Sequence, residues 1–157
     1  MHLSGFLATP FTLSIEFHIV GTRIRGFISN LYGPPRAEQK TAFLDLISYI
    51  KAIVEDKSWI LGEDFNLIRN LDEKKGGIQN LNSVSNHFNS VINDLNLIDV
   101  RTSNGIFTWN NKEMGDRGIA CMLDRFLLLG SVMMAGGDLR AVVLPAAGLY
   151  HWPISLE

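Results

Sequence analysis

The sequence predicts an α+β fold on three observations. A strict apolar alternation opens the chain, two later stretches carry apolar residues at helical spacing, and short strand-like pieces separated by turns fill the last third. At 157 residues, 46% hydrophobic and 19% charged, the chain can bury one sizeable core and is expected to form one domain over residues 1–157. Fourteen Lys+Arg against 16 Asp+Glu give a net charge of -2. No global basic field therefore points to nucleic acid or an anionic membrane, and any such contact must come from a local site. The single cysteine, Cys121, excludes an internal disulfide framework and multi-cysteine zinc motifs, so a structural thiol in a reducing compartment is expected. No apolar stretch approaches the roughly 20 residues of a membrane helix. The opening MHLSGFLATPF lacks a secretory signal's charged region and cleavage site and runs almost at once into a strand pattern, so the chain is expected to start inside a domain.

From Phe11 to Ile19 apolar and polar residues alternate, which predicts a half-buried strand with Phe11, Leu13, Ile15, Phe17 and Ile19 on its core face. Arg23 to Tyr32 gives a second run, and a hairpin fits the pair. Pro34 and Pro35 stop the pairing; Phe43, Leu46, Ile47, Ile50, Ile53 and Val54 then predict a helix over 36–55. Ser58 to Leu61 reads as a buried strand opening into the loop Gly62-Glu63-Asp64-Phe65-Asn66. Asp72 to Asn82, rich in Gly and Asn, reads as an exposed loop with no core residue. A second helix starts at a cap supplied by Asn82 or Ser83 and ends near Asn96. Strand-like pieces follow at 106–109, 122–128, 139–144 and 151–155.

Asp64 and Asn66, two apart just beyond a buried strand, could hold a hydrated divalent cation or orient a water, or simply satisfy turn backbone. Asp124 interrupts an apolar strand and needs a partner, either Arg125 or a histidine whose tautomer it would fix. Trp109 could stack on a base, although a core or half-buried position suits it as well. His2, His18 and His87 show no metal-ligand spacing. Arg69, Lys74, Lys75, Arg101, Lys112, Arg117 and Arg125 are scattered as on a solvated surface.

In order, Asn30-Leu31-Tyr32-Gly33-Pro34, Trp59-Ile60-Leu61-Gly62-Glu63-Asp64-Phe65-Asn66, Phe107-Thr108-Trp109, Leu123-Asp124-Arg125-Phe126 and His151-Trp152-Pro153-Ile154 resemble the endonuclease/exonuclease/phosphatase family. They look most like the endonuclease domain of plant LINE-type non-LTR retrotransposons. The resemblance runs from about Phe11 to Glu157. It implies a DNase-I-like four-layer sandwich of two mixed β-sheets flanked by helices, truncated at the amino end, with DNA as partner and magnesium as cofactor. Residue by residue, it implies that Asp64 activates the attacking water and Asn66 orients water and phosphate. Asp124 holds His151, His151 hydrogen-bonds the scissile phosphate, and Tyr32 contacts the phosphate or supports the site floor, with Trp109 a further substrate-binding candidate. A nuclear location would follow if the ancestral role is kept.

Three departures from the family pattern shape the expected function. The chain starts after the strands that carry the family's first Asn and its metal-ligating Glu. Tyr150 replaces the Asp of the family's closing Ser-Asp-His, and Glu63 stands where relatives often have Gly, adding a charge expected to raise the proton affinity of Asp64. A magnesium ion held by few charged ligands binds weakly. The expectation is a weakly active or inactive remnant of a magnesium-dependent endonuclease. A non-catalytic module for nucleic acid or protein, and a translated fragment that does not fold stably, are the other readings.

Overall fold

The structure is a computed structural model and describes residues 1–129, 132, 139–145 and 148–157. Strands β1 (His2–Ala8), β2 (Thr12–His18) and β3 (Arg25–Tyr32) form an antiparallel meander. Pro34 and Pro35 end β3, and helix α1 (Ala37–Val54) crosses over so that β4 (Ser58–Asp64) can pair with β3 in parallel. Strands β5 (Lys74–Lys75), β7 (Trp109–Asn110) and β8 (Ala120–Cys121) make a small antiparallel sheet. Helix α2 (Ser83–Asp94), capped by Asn82, leads into β6 (Leu97–Val100), and β9 (Asp124–Leu129) lies between β4 and β6. The main sheet thus has the order β1-β2-β3-β4-β9-β6, and β10 (Ala141–Val143) pairs with β11 (Ile154–Leu156) in a second one.

Both helices pack on one face of the main sheet. Phe43, Leu44, Ile47 and Ile50 of α1 and Phe88, Val91 and Ile92 of α2 bury against Leu31, Trp59, Leu61 and Leu127. On the opposite face, Ile60, Phe126 and Leu128 meet Ala141 and Leu156 of the second sheet. Helices, main sheet and second sheet supply three of the four expected layers; no helix is placed beyond the second sheet among the described residues. Neither described helix is long and apolar enough to cross a membrane.

At its start β2 buries the side opposite to the expected one, while Phe17 of the expected side is buried as well. Thr12 and Ser14 are 5% and 0% exposed, while Leu13 is 47% exposed. The buried hydroxyls are reconciled to the core by hydrogen bonds: Ser14 Oγ lies 2.7 Å from Ser29 Oγ, which also accepts from Trp59 Nε1 at 2.8 Å. The apolar side instead joins an in-register row, Phe6–Ile15–Ile28–Ile60–Leu128, across the other face. The second sheet covers only the far end of that row, so Phe6 and Ile28 remain 80% and 41% exposed.

Other expectations shift as well. β1 and β6 are strands where none was expected, and β4 runs three residues further, to Asp64. The supposed exposed loop holds a one-turn 3-10 helix (Leu71–Glu73), the short β5, and a fully buried Glu73. Arg125 is not on a solvated surface either. It is fully buried, 2.8 Å from Glu73 and 2.8 Å from Asp99, and Arg69 also reaches Asp99 at 2.8 Å.

Candidate functional site

The in-register triple Tyr32, Asp64 and Asp124 lies across the ends of β3, β4 and β9 on the face turned toward the second sheet. Asp64 is only 6% exposed, and its two oxygens are held by the residue two ahead. Asn66 donates from its backbone N–H to Oδ1 at 2.7 Å and from Nδ2 to Oδ2 at 2.9 Å. A left-handed backbone at Asn66, with φ of +51°, folds the side chain back in this way, a conformation Asn adopts more readily than most residues. The same Nδ2 donates to the Gly33 carbonyl at 2.8 Å, and Gly33 N–H donates to the Asp64 carbonyl at 2.7 Å. From α1, Lys40 Nζ donates to the Asn66 carbonyl at 2.7 Å.

The partner of Asp124 is His151, not Arg125, whose side chain lies with Glu73 and Asp99. His151 Nδ1 donates to Asp124 Oδ2 at 3.0 Å, which leaves Nε2 turned to the cleft, 4.0 Å from Asp64 Oδ2. His151 is brought there by backbone pairing. It bridges Trp109 in antiparallel fashion, and Trp152 N–H donates to the Thr108 carbonyl at 2.8 Å. Thr108, fully buried, completes the arrangement: its Oγ1 accepts from the N–H groups of Leu123 and Asp124 at 3.0 and 2.9 Å. Sequence reasoning passed over Thr108 in favour of Trp109, which is half-buried and tied to the site through its backbone. The signal lay in Phe107-Thr108-Trp109 itself, where a hydroxyl sits between two aromatics.

Asp64 and Asp124 line a cleft of about 470 Å³ whose floor is apolar, with Ile28, Ile60, Gly62 and Phe126, and whose rim carries Tyr32 and His151. Glu63, Asp64 and Asp124 put three carboxylates against one imidazole. Burial pushes the Asp64 carboxyl above its ordinary range. The Asp124 charge adds to the rise, while the Asn66 hydrogen bond and the His151 and Lys40 charges oppose it. Glu63 is not a cause of that rise: it is exposed, and its cost lies in the backbone. With φ at +99°, Glu63 occupies a region suited to Gly. Glu63→Gly is expected to stabilise the fold by about 1 kcal/mol after the entropy of the added glycine, read as a higher urea midpoint at unchanged slope.

A raised folded-state pKa at Asp64 has a definite sign for stability. The contribution is present while the carboxyl stays protonated, below the ordinary carboxylate range, and is lost as pH rises through the folded value. The melting temperature of Asp64→Asn minus that of the native chain should therefore become more positive as pH rises above the ordinary carboxylate range. A flat difference would contradict the assigned burial.

The magnesium that the sequence resemblance implies is poorly served by these donors. Asp64 spends an acceptor site on each oxygen toward Asn66, and Asp124 is engaged by His151. Among the described residues no three His, Cys, Asp or Glu side chains are grouped to hold a metal. The donor set does not fit a resident hard cation that wants several free oxygens. Elsewhere, Cys121 is buried, and burial pushes its thiol pKa up, which suits an inert packing residue.

The fold and the position of the cleft define a class. No protein-family model and no curated protein matches the sequence, but solved structures match its fold. The endonuclease domain of TRAS1, a telomere-specific non-LTR retrotransposon, superposes with a TM-score of 0.75 at 12% identity, over 99% of this chain and 68% of that one. Truncated TDP2 of Caenorhabditis elegans gives 0.59 at 15% identity, over 98% and 65%. An endonuclease/exonuclease/phosphatase family protein of Bacteroides thetaiotaomicron gives 0.59 at 14% identity, over 92% and 54%. The chain therefore has a DNase-I-like fold and spans about half to two-thirds of the length of these structures.

Proposed function

We propose that the chain is the remnant of a phosphodiester-hydrolysing endonuclease of retrotransposon type, whose site still faces a phosphodiester of DNA but hydrolyses it feebly or not at all. The observation that carries this reading is the convergence of Asp64, Asn66, Asp124 and His151, from separated segments, at one end of a DNase-I-like sheet. In this reading Asp64, its pKa raised by burial, is the base for an attacking water, and Asn66 fixes its orientation. Asp124 holds His151 with Nδ1–H inward, so that the imidazolium Nε2–H can donate to a phosphate oxygen, while exposed Tyr32 meets the phosphate at the rim. Thr108 and Trp109 act through the positions of Asp124 and His151.

The same geometry accounts for feeble chemistry. A phosphodiester entering beside three carboxylates is repelled, and preorganised charge stabilisation is the largest contribution to such reactions. The expected result is near-background nicking of supercoiled plasmid with magnesium, alike for the native chain and for Asp64→Ala/His151→Ala. Robust nicking abolished by the double substitution would show that the residues still assemble a working site and would overturn the loss of activity. Nicking indifferent to both residues would overturn the site.

A further inference from the structure

We propose that a second cavity, which Asn66 helps to line, is a binding site for a phosphate group. The inference rests on the reading that the first cleft faces a phosphodiester, and it names where a neighbouring phosphate would sit. The cavity is about 230 Å³, and its polar lining comes from Lys40, Asn66, Lys74, Asn80, Asn82 and Ser85. Among the described residues no carboxylate lines it, whereas three other clefts carry Glu63, Glu55 and Glu113 respectively.

Its two cations have no carboxylate in direct contact, although the Asp64 charge acts on Lys40 from beyond ion-pair distance. Among the described residues neither Lys40 nor Lys74 forms an ion pair; each ammonium donates to one carbonyl, of Asn66 and of Ile78 respectively, both at 2.7 Å. An ammonium has three donors, so each keeps capacity for an oxyanion. Partial burial already disfavours the Lys40 charge, and an anion in the cavity would relieve that cost. Helix α2 starts at the rim, where Asn82 caps Ser85 N–H at 3.0 Å and no acidic residue occupies the first turn, so the positive end of the helix dipole adds to the same field. Asn66 links the two sites: its side chain holds Asp64, which lines the cleft, and its carbonyl holds Lys40, which lines the cavity.

The ligand chemistry is a tetrahedral phosphate, either the next phosphate of a bound DNA strand or free inorganic phosphate. Backbone amide resonances of residues 83–85 are followed by NMR while inorganic phosphate, or a short DNA duplex, is added. Duplex affinity is measured in parallel against salt for the native chain, Lys74→Met and Asn80→Asp, two positions outside the first cleft. Movement of those amides by the duplex, with a salt slope lower by about 1 in Lys74→Met and weaker binding in Asn80→Asp, is the expected result. Movement by inorganic phosphate alone, lost in Lys74→Met, supports the site with free phosphate as its source. If the duplex moves His151 but neither probe moves residues 83–85 and neither substitution changes the slope, the cavity proposal falls while the first cleft stands. If the duplex leaves His151 unmoved, the reading of the first cleft falls instead. Asn80 is exposed, so Asn80→Asp keeps the test open should Lys74→Met fold poorly.

Discussion

Arg125→Met is expected to abolish cooperative folding at room temperature or bring it to the edge of loss. The guanidinium is fully buried on β9 and pairs with Glu73 and Asp99 at 2.8 Å each, while a further donor reaches the Leu67 carbonyl at 3.2 Å. Methionine fills much of the volume but leaves Glu73, itself fully buried, with only the exposed Arg101 at 3.8 Å as a cation. Removing one partner of a buried pair costs about 3–5 kcal/mol, against a total stability of about 5–15 kcal/mol for a domain. The loss should be partly reversed by adding Glu73→Gln, which removes the stranded charge and keeps an acceptor for Arg69 N–H, bound at 2.6 Å. Urea unfolding of the single and double variants is the check. A single variant as stable as the native chain would show the network to be idle.

Gly33→Ala is expected to dismantle the site. A Cβ at Gly33 would lie 2.1 Å from the Phe65 carbonyl oxygen, a backbone atom that can give way only if residues 64–66 move. Those residues hold Asp64 through Gly33 N–H and Asn66 through the Gly33 carbonyl, so a shift breaks both bonds. Overpacking costs about 1–3 kcal/mol and each lost hydrogen bond about 1 kcal/mol, so a clear fall in melting temperature is expected. Loss of the native His151 and Asn66 side-chain resonances should accompany it. Unchanged resonances in a folded variant would contradict the described approach of β3 to the 64–66 segment.

Local pattern made some of this architecture legible and left the rest hidden. Both helices announce themselves through apolar spacing and flanking signals, Pro34-Pro35 before α1 and the Asn82 cap of α2. The Asp64–Asn66 spacing is likewise local, because a left-handed turn at Asn66 is enough to bring the two side chains together. Long-range partners are different. Arg125 looked like one of several scattered basic residues, because its carboxylates lie 52 and 26 positions away. Glu73 sat in a segment with loop composition, yet that segment is drawn into the interior by the ion pair. β2 misled through its alternation, which marks a two-faced strand but not which face meets the helices; buried Ser–Ser and Trp–Ser hydrogen bonds decided that. Thr108 left only a faint sign, a hydroxyl between Phe107 and Trp109, because the backbone N–H groups it accepts from lie 15 and 16 positions away.

The central claim is that the cleft at the ends of β3, β4 and β9 faces a phosphodiester through His151. The most direct test follows the imidazole nitrogens of His151 by NMR in the native chain as a short DNA duplex is added at low salt. The account predicts a selective shift at Nε2 that weakens steeply as salt is raised. A duplex that binds with equal affinity to His151→Ala, or leaves the His151 nitrogens unmoved, would contradict it.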